Sequence, residues 1–133
     1  MYEVADGYVF ITFQDNKTIF YKDSYERHCS YRDSIKGEKG REAIQNALIN
    51  PDYITSYTRK DLPGTLCKKY YSITGKTKTT RGIELEYWEI ILQKKPNQKL
   101  KIVTAYTASA PEYAMIDDRV ESFIYKKPKY EKY

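Results

Sequence analysis

The chain has 133 residues with 23 Lys and Arg against 18 Asp and Glu, and this length predicts one domain rather than two. Hydrophobic residues make up 41% of the sequence, which supports a folded core and excludes a wholly disordered chain. The apolar stretches fall far short of the roughly 20 residues that cross a bilayer, so we expect no membrane partner. The acidic N-terminus lacks the features of a secretory signal, which favours a cytoplasmic protein.

Motifs for metals and cofactors are missing from the sequence. His28 is the single histidine, and Cys29 and Cys67 lie outside any metal-binding spacing. Two cysteines are too few for a disulfide scaffold, so we expect two reduced thiols. The six glycines form neither a P-loop nor a dinucleotide fingerprint. These patterns predict a protein that uses no metal and no cofactor.

Positive charge is concentrated in the second half of the chain. Residues 1–66 carry a net charge of −1 and residues 67–133 carry +6. Within 59–81, seven cations accompany only one acid, Asp61. The cations are Arg59, Lys60, Lys68, Lys69, Lys76, Lys78 and Arg81. Four tyrosines lie in or beside this block, namely Tyr53, Tyr57, Tyr70 and Tyr71. The combination favours a nucleic-acid partner, and the alternative is a half-buried sheet with a solvated lysine face.

The first fifty residues read as a hairpin followed by helices. Residues 7–14 and 17–22 are β-branched and aromatic and flank a turn, which predicts two paired strands. A short helix would then place Tyr25, His28, Cys29 and Arg32 on one face, because they are three, four and seven positions apart. A longer helix is predicted from Glu38 up to Pro51. Its apolar stripe consists of Ala43, Ile44, Ala47 and Leu48.

Four further strands are predicted after the helix, over residues 53–59, 68–74, 83–93 and 99–107. Turn residues separate them, including Gly75-Lys76 between the second and third. In the third strand, Glu84, Glu86 and Trp88 alternate with Ile83, Leu85 and Tyr87, which indicates one buried face. A helical turn is expected over 116–123. This order predicts an α+β fold with helix on one face of an antiparallel sheet and the other face free for a ligand.

The chemistry that the residues can support centres on His28. A histidine titrates near neutral pH, so it can accept or donate a proton. If Arg32 and the cations of 59–81 held a phosphodiester, His28 could assist cleavage of RNA by its own 2′-hydroxyl, and arginine would stabilise the phosphorane. The alternative is a solvated histidine on the surface of a helix.

Several short motifs resemble one known family. They are the Arg27-His28 pair, the A-L-x-N-P-D-x-I segment from Ala47 to Ile54, the Lys69-Tyr70-Tyr71 strand and the closing K-I-V-T-A-Y-T segment from Lys101 to Thr107. Together they span about residues 8–110 and resemble the phage-associated branch of the barnase/EndoU/colicin/RelE (BECR) superfamily of ribonucleases.

The resemblance implies a metal-independent endoribonuclease in which an N-terminal helical part packs on a four- to five-stranded antiparallel sheet. The BECR-like domain would cover residues 1–110, with a basic tail, packed in part, over 111–133. His28 matches the family histidine as acid or base, and Thr104 and Tyr106 match the closing motif. Thr104 or Thr107 would donate a hydroxyl hydrogen bond to phosphate, and Tyr106 would contact phosphate or stack on a base.

Charge and position add further residues to this candidate site. Arg32 joins His28, Thr104 and Tyr106 in the catalytic set. The set that contacts nucleic acid comprises Arg27, Arg59, Lys60, Lys68, Lys69, Tyr70, Tyr71 and Thr107. The expected partners are an RNA substrate, either tRNA or another single-stranded loop, and an acidic immunity protein or antitoxin. The alternatives are a non-catalytic nucleic-acid-binding module and a protein-interaction domain whose basic face meets an acidic partner.

Overall fold

A computed structural model describes residues 1–29, 36–115 and 122–128. These residues form eight strands and three helices. The strands are β1 (Tyr2–Val4), β2 (Gly7–Thr12), β3 (Asn16–Tyr21), β4 (Tyr53–Tyr57), β5 (Leu66–Thr79), β6 (Gly82–Lys94), β7 (Lys101–Pro111) and β8 (Ser122–Lys126). The helices are α1 (Lys22–Cys29), α2 (Gly37–Ile49) and α3 (Glu112–Met115).

All eight strands belong to one mixed sheet in the order β1-β2-β3-β7-β6-β5-β4-β8. Neighbouring strands are antiparallel except for β3 and β7, which run parallel where Ile19 pairs with Lys101. The expectation of an N-terminal helical part on a four- to five-stranded antiparallel sheet is therefore wrong. Three strands precede the first helix, β3 joins the later strands in parallel, and a short third helix lies towards the C-terminus.

Two helices cover one face of the sheet, which we call the helix face. Tyr25 and Cys29 of α1 are buried there, because residues four apart share one side of a helix. The predicted stripe of α2 is confirmed, since Ile44, Ala47 and Leu48 are buried in the core. The strands contribute fully buried side chains to the same cluster. They include Phe10, Phe20, Ile54, Tyr70, Ile90, Leu92, Ile102 and Ala105.

The β2–β3 hairpin is confirmed, and its turn has Asn16 in the left-handed region with a φ of 72°. The predicted turn at Gly75-Lys76 is wrong. The sheet register shifts between Ile73 and Gly75, so this glycine marks an irregularity within a strand that continues to Thr79. The hairpin reverses instead after Thr79, which pairs with Gly82. Consequently β5 extends well beyond the predicted 68–74, whereas β6 matches the predicted 83–93 to within one residue at each end.

The C-terminal region contributes a strand to the sheet, because β8 pairs antiparallel with β4. Of the helical turn expected over 116–123, the first six residues lie outside the described residues. Ser122 and Phe123 begin β8, so a helical turn is wrong for these two positions. Among the described residues, no helix is long and apolar enough to span a membrane.

Candidate nucleic-acid interface

The central strands present a second face opposite α1 and α2, which we call the open face. Successive side chains of a strand point to opposite faces, so the neighbours of buried Tyr70, Ile90 and Ala105 belong to the open face. Strand pairing sets three of them beside Tyr53 of β4, since Tyr71 pairs with Tyr53 and with Glu89, and Glu89 pairs with Tyr106. We call Tyr53, Tyr71, Glu89 and Tyr106 the tyrosine–glutamate row. Directly paired residues have Cβ atoms about 4.5–5.5 Å apart, so these side chains are near neighbours.

A cation lies beside this row on the same face. Lys69 pairs with Thr55 and Ile91, and Ile91 pairs with Thr104, which forms an adjacent row across the sheet. The Lys69 ammonium lies 5.0 Å from the centroid of the Tyr57 ring. Lys69 and Glu89 are therefore diagonal neighbours on antiparallel strands, a separation that long side chains can span.

Burial and charge shape the acid–base properties of the open face. Glu89 is only 8% exposed although it lies on the face opposite α1 and α2. Burial and then Glu89 raise the pKa of Tyr87, whereas Lys69 lowers it. Burial and then the Cys67 thiol raise the pKa of Tyr57, against the lowering effect of Lys69 and Arg59. Both phenols are therefore protonated at neutral pH and can donate hydrogen bonds.

The combination of groups on the open face suits chemistry on an anion. A carboxylate can accept a proton, and an ammonium can stabilise developing negative charge. The tyrosine rings offer flat surfaces for stacking, and the rings of Tyr71 and Tyr87 lie 5.9 Å apart at an angle of 60°. An unpaired nucleic-acid strand, with its phosphates and accessible bases, matches both kinds of group.

Four of the residues chosen from the sequence meet on the open face, namely Lys69, Tyr71, Thr104 and Tyr106. His28 does not join them, because α1 packs on the helix face, where the neighbouring Cys29 Sγ lies 3.7 Å from the Ala105 carbonyl oxygen. Thr107 shares the helix-face register of Ala105 and pairs with Trp88. The structure thus places His28 and Thr107 on the side of the sheet opposite Thr104 and Tyr106. Arg27 is exposed on α1, and Arg32 lies outside the described residues.

Two other chosen residues hold the β2–β3 turn against the helix-face side of β5. The Lys68 ammonium lies 2.5 Å from Asp15 Oδ1, and the two side chains are 13% and 15% exposed. The Tyr70 hydroxyl donates to Asp15 Oδ2 at 2.7 Å and accepts from the Gln14 N–H at 3.2 Å. We call Asp15, Lys68 and Tyr70 the turn lock. The side chains of the turn lock bind one another and the backbone through an ion pair and hydrogen bonds, so their role is structural.

The cations of 59–81 therefore do not form one surface. Lys68 and Lys69 point to opposite faces, and Arg59 is paired with Asp61 on the exterior. Lys60 is exposed in the β4–β5 connection. The remaining three lie at the far end of the β5–β6 hairpin, and they are Lys76, Lys78 and Arg81. Of the block, Lys69 alone stands in the two rows defined here.

Burial, and then the hydrogen bond to Asp15, raises the pKa of Tyr70 far above its usual range. Above about pH 10 the unfolded chain loses a tyrosine proton that folded Tyr70 retains, so we expect this residue to make the free energy of unfolding fall as pH rises. Tyr70→Phe should reduce that slope by up to about 1.4 kcal/mol per pH unit. Urea unfolding of both proteins from about pH 9 to about pH 11 measures the difference. Equal slopes would contradict the raised pKa.

Sequence reasoning missed Glu89, Tyr87 and Thr55 as members of the open face, and it noted Tyr53 beside the basic block without including it in the set that contacts nucleic acid. A signal for Glu89 was present, because it continues the alternation of the apolar residues Ile83, Leu85 and Tyr87. A carboxylate in an otherwise apolar register is unusual and indicates a special environment. Nothing comparable identifies Thr55, whose burial depends on strand partners far away in the chain.

No family model, curated protein or solved structure matches this chain. The resemblance to the BECR ribonucleases therefore stays a prediction from short motifs. Cys29 and Cys67 are buried and form no disulfide, and they lie on the helix face and the open face respectively. Within residues 1–29, 36–115 and 122–128, no group of three His, Cys, Asp or Glu is placed to hold a metal ion.

Proposed function

We propose that the protein is an endoribonuclease that cleaves single-stranded RNA on the open face of its sheet without a metal. The observation that carries the proposal is the tyrosine–glutamate row with Lys69 beside it. One small area thus combines a proton acceptor, a cation and several aromatic rings. A proton acceptor and a cation accelerate the cleavage of RNA by its own 2′-hydroxyl, a reaction that takes its nucleophile from the substrate.

In the proposed reaction, Glu89 accepts the proton of the 2′-hydroxyl as its oxygen attacks the adjacent phosphorus. Lys69 stabilises the negative charge of the phosphorane. The bond from phosphorus to the 5′-oxygen of the next nucleotide then breaks, and Tyr106 donates a proton to that oxygen. The products are a 2′,3′-cyclic phosphate and a free 5′-hydroxyl, and the proton on Glu89 returns to solvent while water restores the Tyr106 proton.

Binding of the substrate would depend on stacking and on charge. Bases of an unpaired strand can stack on Tyr53, Tyr71 and Tyr87, and each stacked base contributes about 1–3 kcal/mol. The rim of the open face at the end of the hairpin carries Lys76 and Lys78, which attract phosphates. Duplex RNA would not expose its bases to these rings, so single strands and loops are the preferred substrates.

The purified protein should cleave total tRNA or an unstructured RNA in EDTA and leave 2′,3′-cyclic phosphate ends. A strand with 2′-deoxyribose at the cut position should remain intact, because the nucleophile is absent. Gel electrophoresis of end-labelled RNA measures both. RNA that stays intact under every buffer condition would overturn the nuclease, and salt-sensitive binding without cleavage would leave a nucleic-acid-binding module in its place.

The same assay shows which face of the sheet carries the catalytic groups. His28→Ala should keep cleavage within about threefold of the unaltered protein, well short of the 10²-fold or greater loss that removal of a general acid or base causes. Because His28 is half-buried on α1, the thermal unfolding midpoint of His28→Ala should be compared with that of the unaltered protein to confirm that the variant folds. A loss of 10²-fold or more with an unchanged midpoint would place the chemistry on the helix face instead.

A further inference from the structure

A cleft of about 950 Å³ adjoins the open face at one end of the tyrosine–glutamate row. Tyr53 belongs to both, because it begins the row and also lines the cleft. The aliphatic part of the lining consists of Ile73, Ile83, Leu85 and Pro128. Small-molecule sites in proteins have volumes of about 300–1,000 Å³ and are mainly apolar with a few polar groups, so this cleft has the dimensions of a ligand site.

The length of the β5–β6 hairpin creates this cleft. The hairpin extends beyond the bulge at Gly75, where Lys76 pairs with Leu85 and Lys78 pairs with Ile83. Its wall therefore carries lysines next to branched apolar residues on one face. Residues of α3 and of the segment after β8 complete the opposite side, with Glu112 and Lys127 in the lining.

Charge at the cleft favours an anion. Three lysines line it, namely Lys76, Lys126 and Lys127, against two carboxylates, Asp52 and Glu112. Asp52 is engaged within the protein, since its Oδ2 accepts the Ile73 N–H at 2.7 Å. Burial, then Asp52 and Glu112, raise the pKa of Tyr53, so its hydroxyl stays protonated and can donate a hydrogen bond.

We infer that this cleft binds one nucleotide of the single-stranded RNA, next to the nucleotide whose phosphate is cleaved at the tyrosine–glutamate row. The base lies against Tyr53, Ile73 and Ile83, with the fully buried Leu85 beneath them, and the phosphate lies at Lys76 and Lys127. The inference rests on the proposed function, because the RNA that occupies the cleft is the substrate of the row. Tyr53 links the two positions.

A mononucleotide tests the cleft directly, without any cleavage. AMP added to roughly 10 mM, enough to detect millimolar binding, should shift the backbone amide signals of Tyr53, Ile73 and Leu85 in NMR spectra of the whole protein. Inorganic phosphate alone should shift Lys76 and Lys127 but leave the apolar wall unchanged. Absence of AMP-dependent shifts at the cleft would overturn the inference.

Variants test whether longer RNA uses the same cleft. Binding of a 2′-O-methyl RNA strand, which cannot be cleaved, should weaken about three- to tenfold in Lys76→Ala, and the salt slope of log K should fall by about 0.7. Ile83 is 42% exposed, so Ile83→Glu should keep the fold while its carboxylate repels phosphate and weakens binding at least as much. Lys39→Ala, on the exposed side of α2, is the matched control and should bind normally.

The outcomes separate this inference from the proposed function. If the protein cleaves RNA but Lys76→Ala and Ile83→Glu bind RNA normally, the proposed nucleotide site in the cleft is wrong and the proposed nuclease activity stands. If AMP shifts the amide signals of the cleft but RNA remains intact, the cleft is a nucleotide site and the proposed nuclease activity is wrong.

Discussion

Glu89→Gln should lower the rate of RNA cleavage by roughly 10²- to 10⁴-fold, the usual contribution of a general base. Glutamine has nearly the same shape as glutamate but cannot accept the 2′-hydroxyl proton. Because Glu89 is almost buried between Tyr71 and Tyr106, the amide should occupy the same place and leave RNA binding little changed. Single-turnover cleavage at saturating RNA measures the chemical step apart from binding.

Glu84→Gln is the matched control, because Glu84 lies on the same strand but is exposed near the tip of the hairpin. It should cleave at the unaltered rate, and both variants should keep the thermal midpoint of the unaltered protein. The pH–rate profile of Glu89→Gln should also lose its acidic limb, since that limb reports the base. Full activity in Glu89→Gln would remove Glu89 from the mechanism, whereas a lowered midpoint with proportional loss of activity would indicate a structural role.

Asp15→Ala should destabilise the protein by about 3–5 kcal/mol, the largest effect we expect for one surface-turn residue. The substitution leaves the Lys68 ammonium without its carboxylate while the side chain remains 13% exposed. It also removes the acceptor of the Tyr70 hydroxyl, whose burial in the core prevents replacement by bulk water. Urea unfolding at neutral pH gives the change in the free energy of unfolding.

Two further variants test the explanation of this loss. Asp15→Ala combined with Lys68→Met should recover part of the stability, because no buried charge then lacks a partner. Asp61→Ala breaks the exposed pair with Arg59 and should leave the urea midpoint unchanged, since solvent screens that pair. If Asp15→Ala and Asp61→Ala lowered the free energy of unfolding equally, burial of the turn lock would add no stability beyond that of an exposed ion pair.

Local patterns in the sequence predicted those parts of the fold that depend on neighbours in the chain. The β2–β3 hairpin follows from alternation and turn residues, and α2 follows from an apolar stripe ended by Pro51. The parallel pairing of β3 with β7 could not be predicted this way, because Ile19 and Lys101 are brought together by packing of the whole chain. Gly75 lies at a bulge instead of the predicted turn, since a glycine marks a bulge as readily as a turn.

The candidate site shows the same division. Thr104 and Tyr106 were chosen as a motif, and alternation along β7 does place both on one face. Their partners depend on register between strands, which sets Glu89 between Tyr71 and Tyr106 and leaves His28 on the other side of the sheet. Lys68 and Lys69 are likewise adjacent in the sequence but point to opposite faces of the sheet, because side chains alternate between the faces at every residue of a strand.

The C-terminal strand β8 covers the outer side of β4 at one end of the open face. It supplies hydrogen-bond partners along the outer side of β4, the strand that carries Tyr53 and Thr55. An uncovered strand of this kind is a template for pairing with other chains and for aggregation. A shortened chain that ends before Ser122 would expose that template beside the tyrosine–glutamate row. Because β8 is itself the outermost strand, the C-terminal segment moves the edge of the sheet one strand away from Tyr53 and the tyrosine–glutamate row.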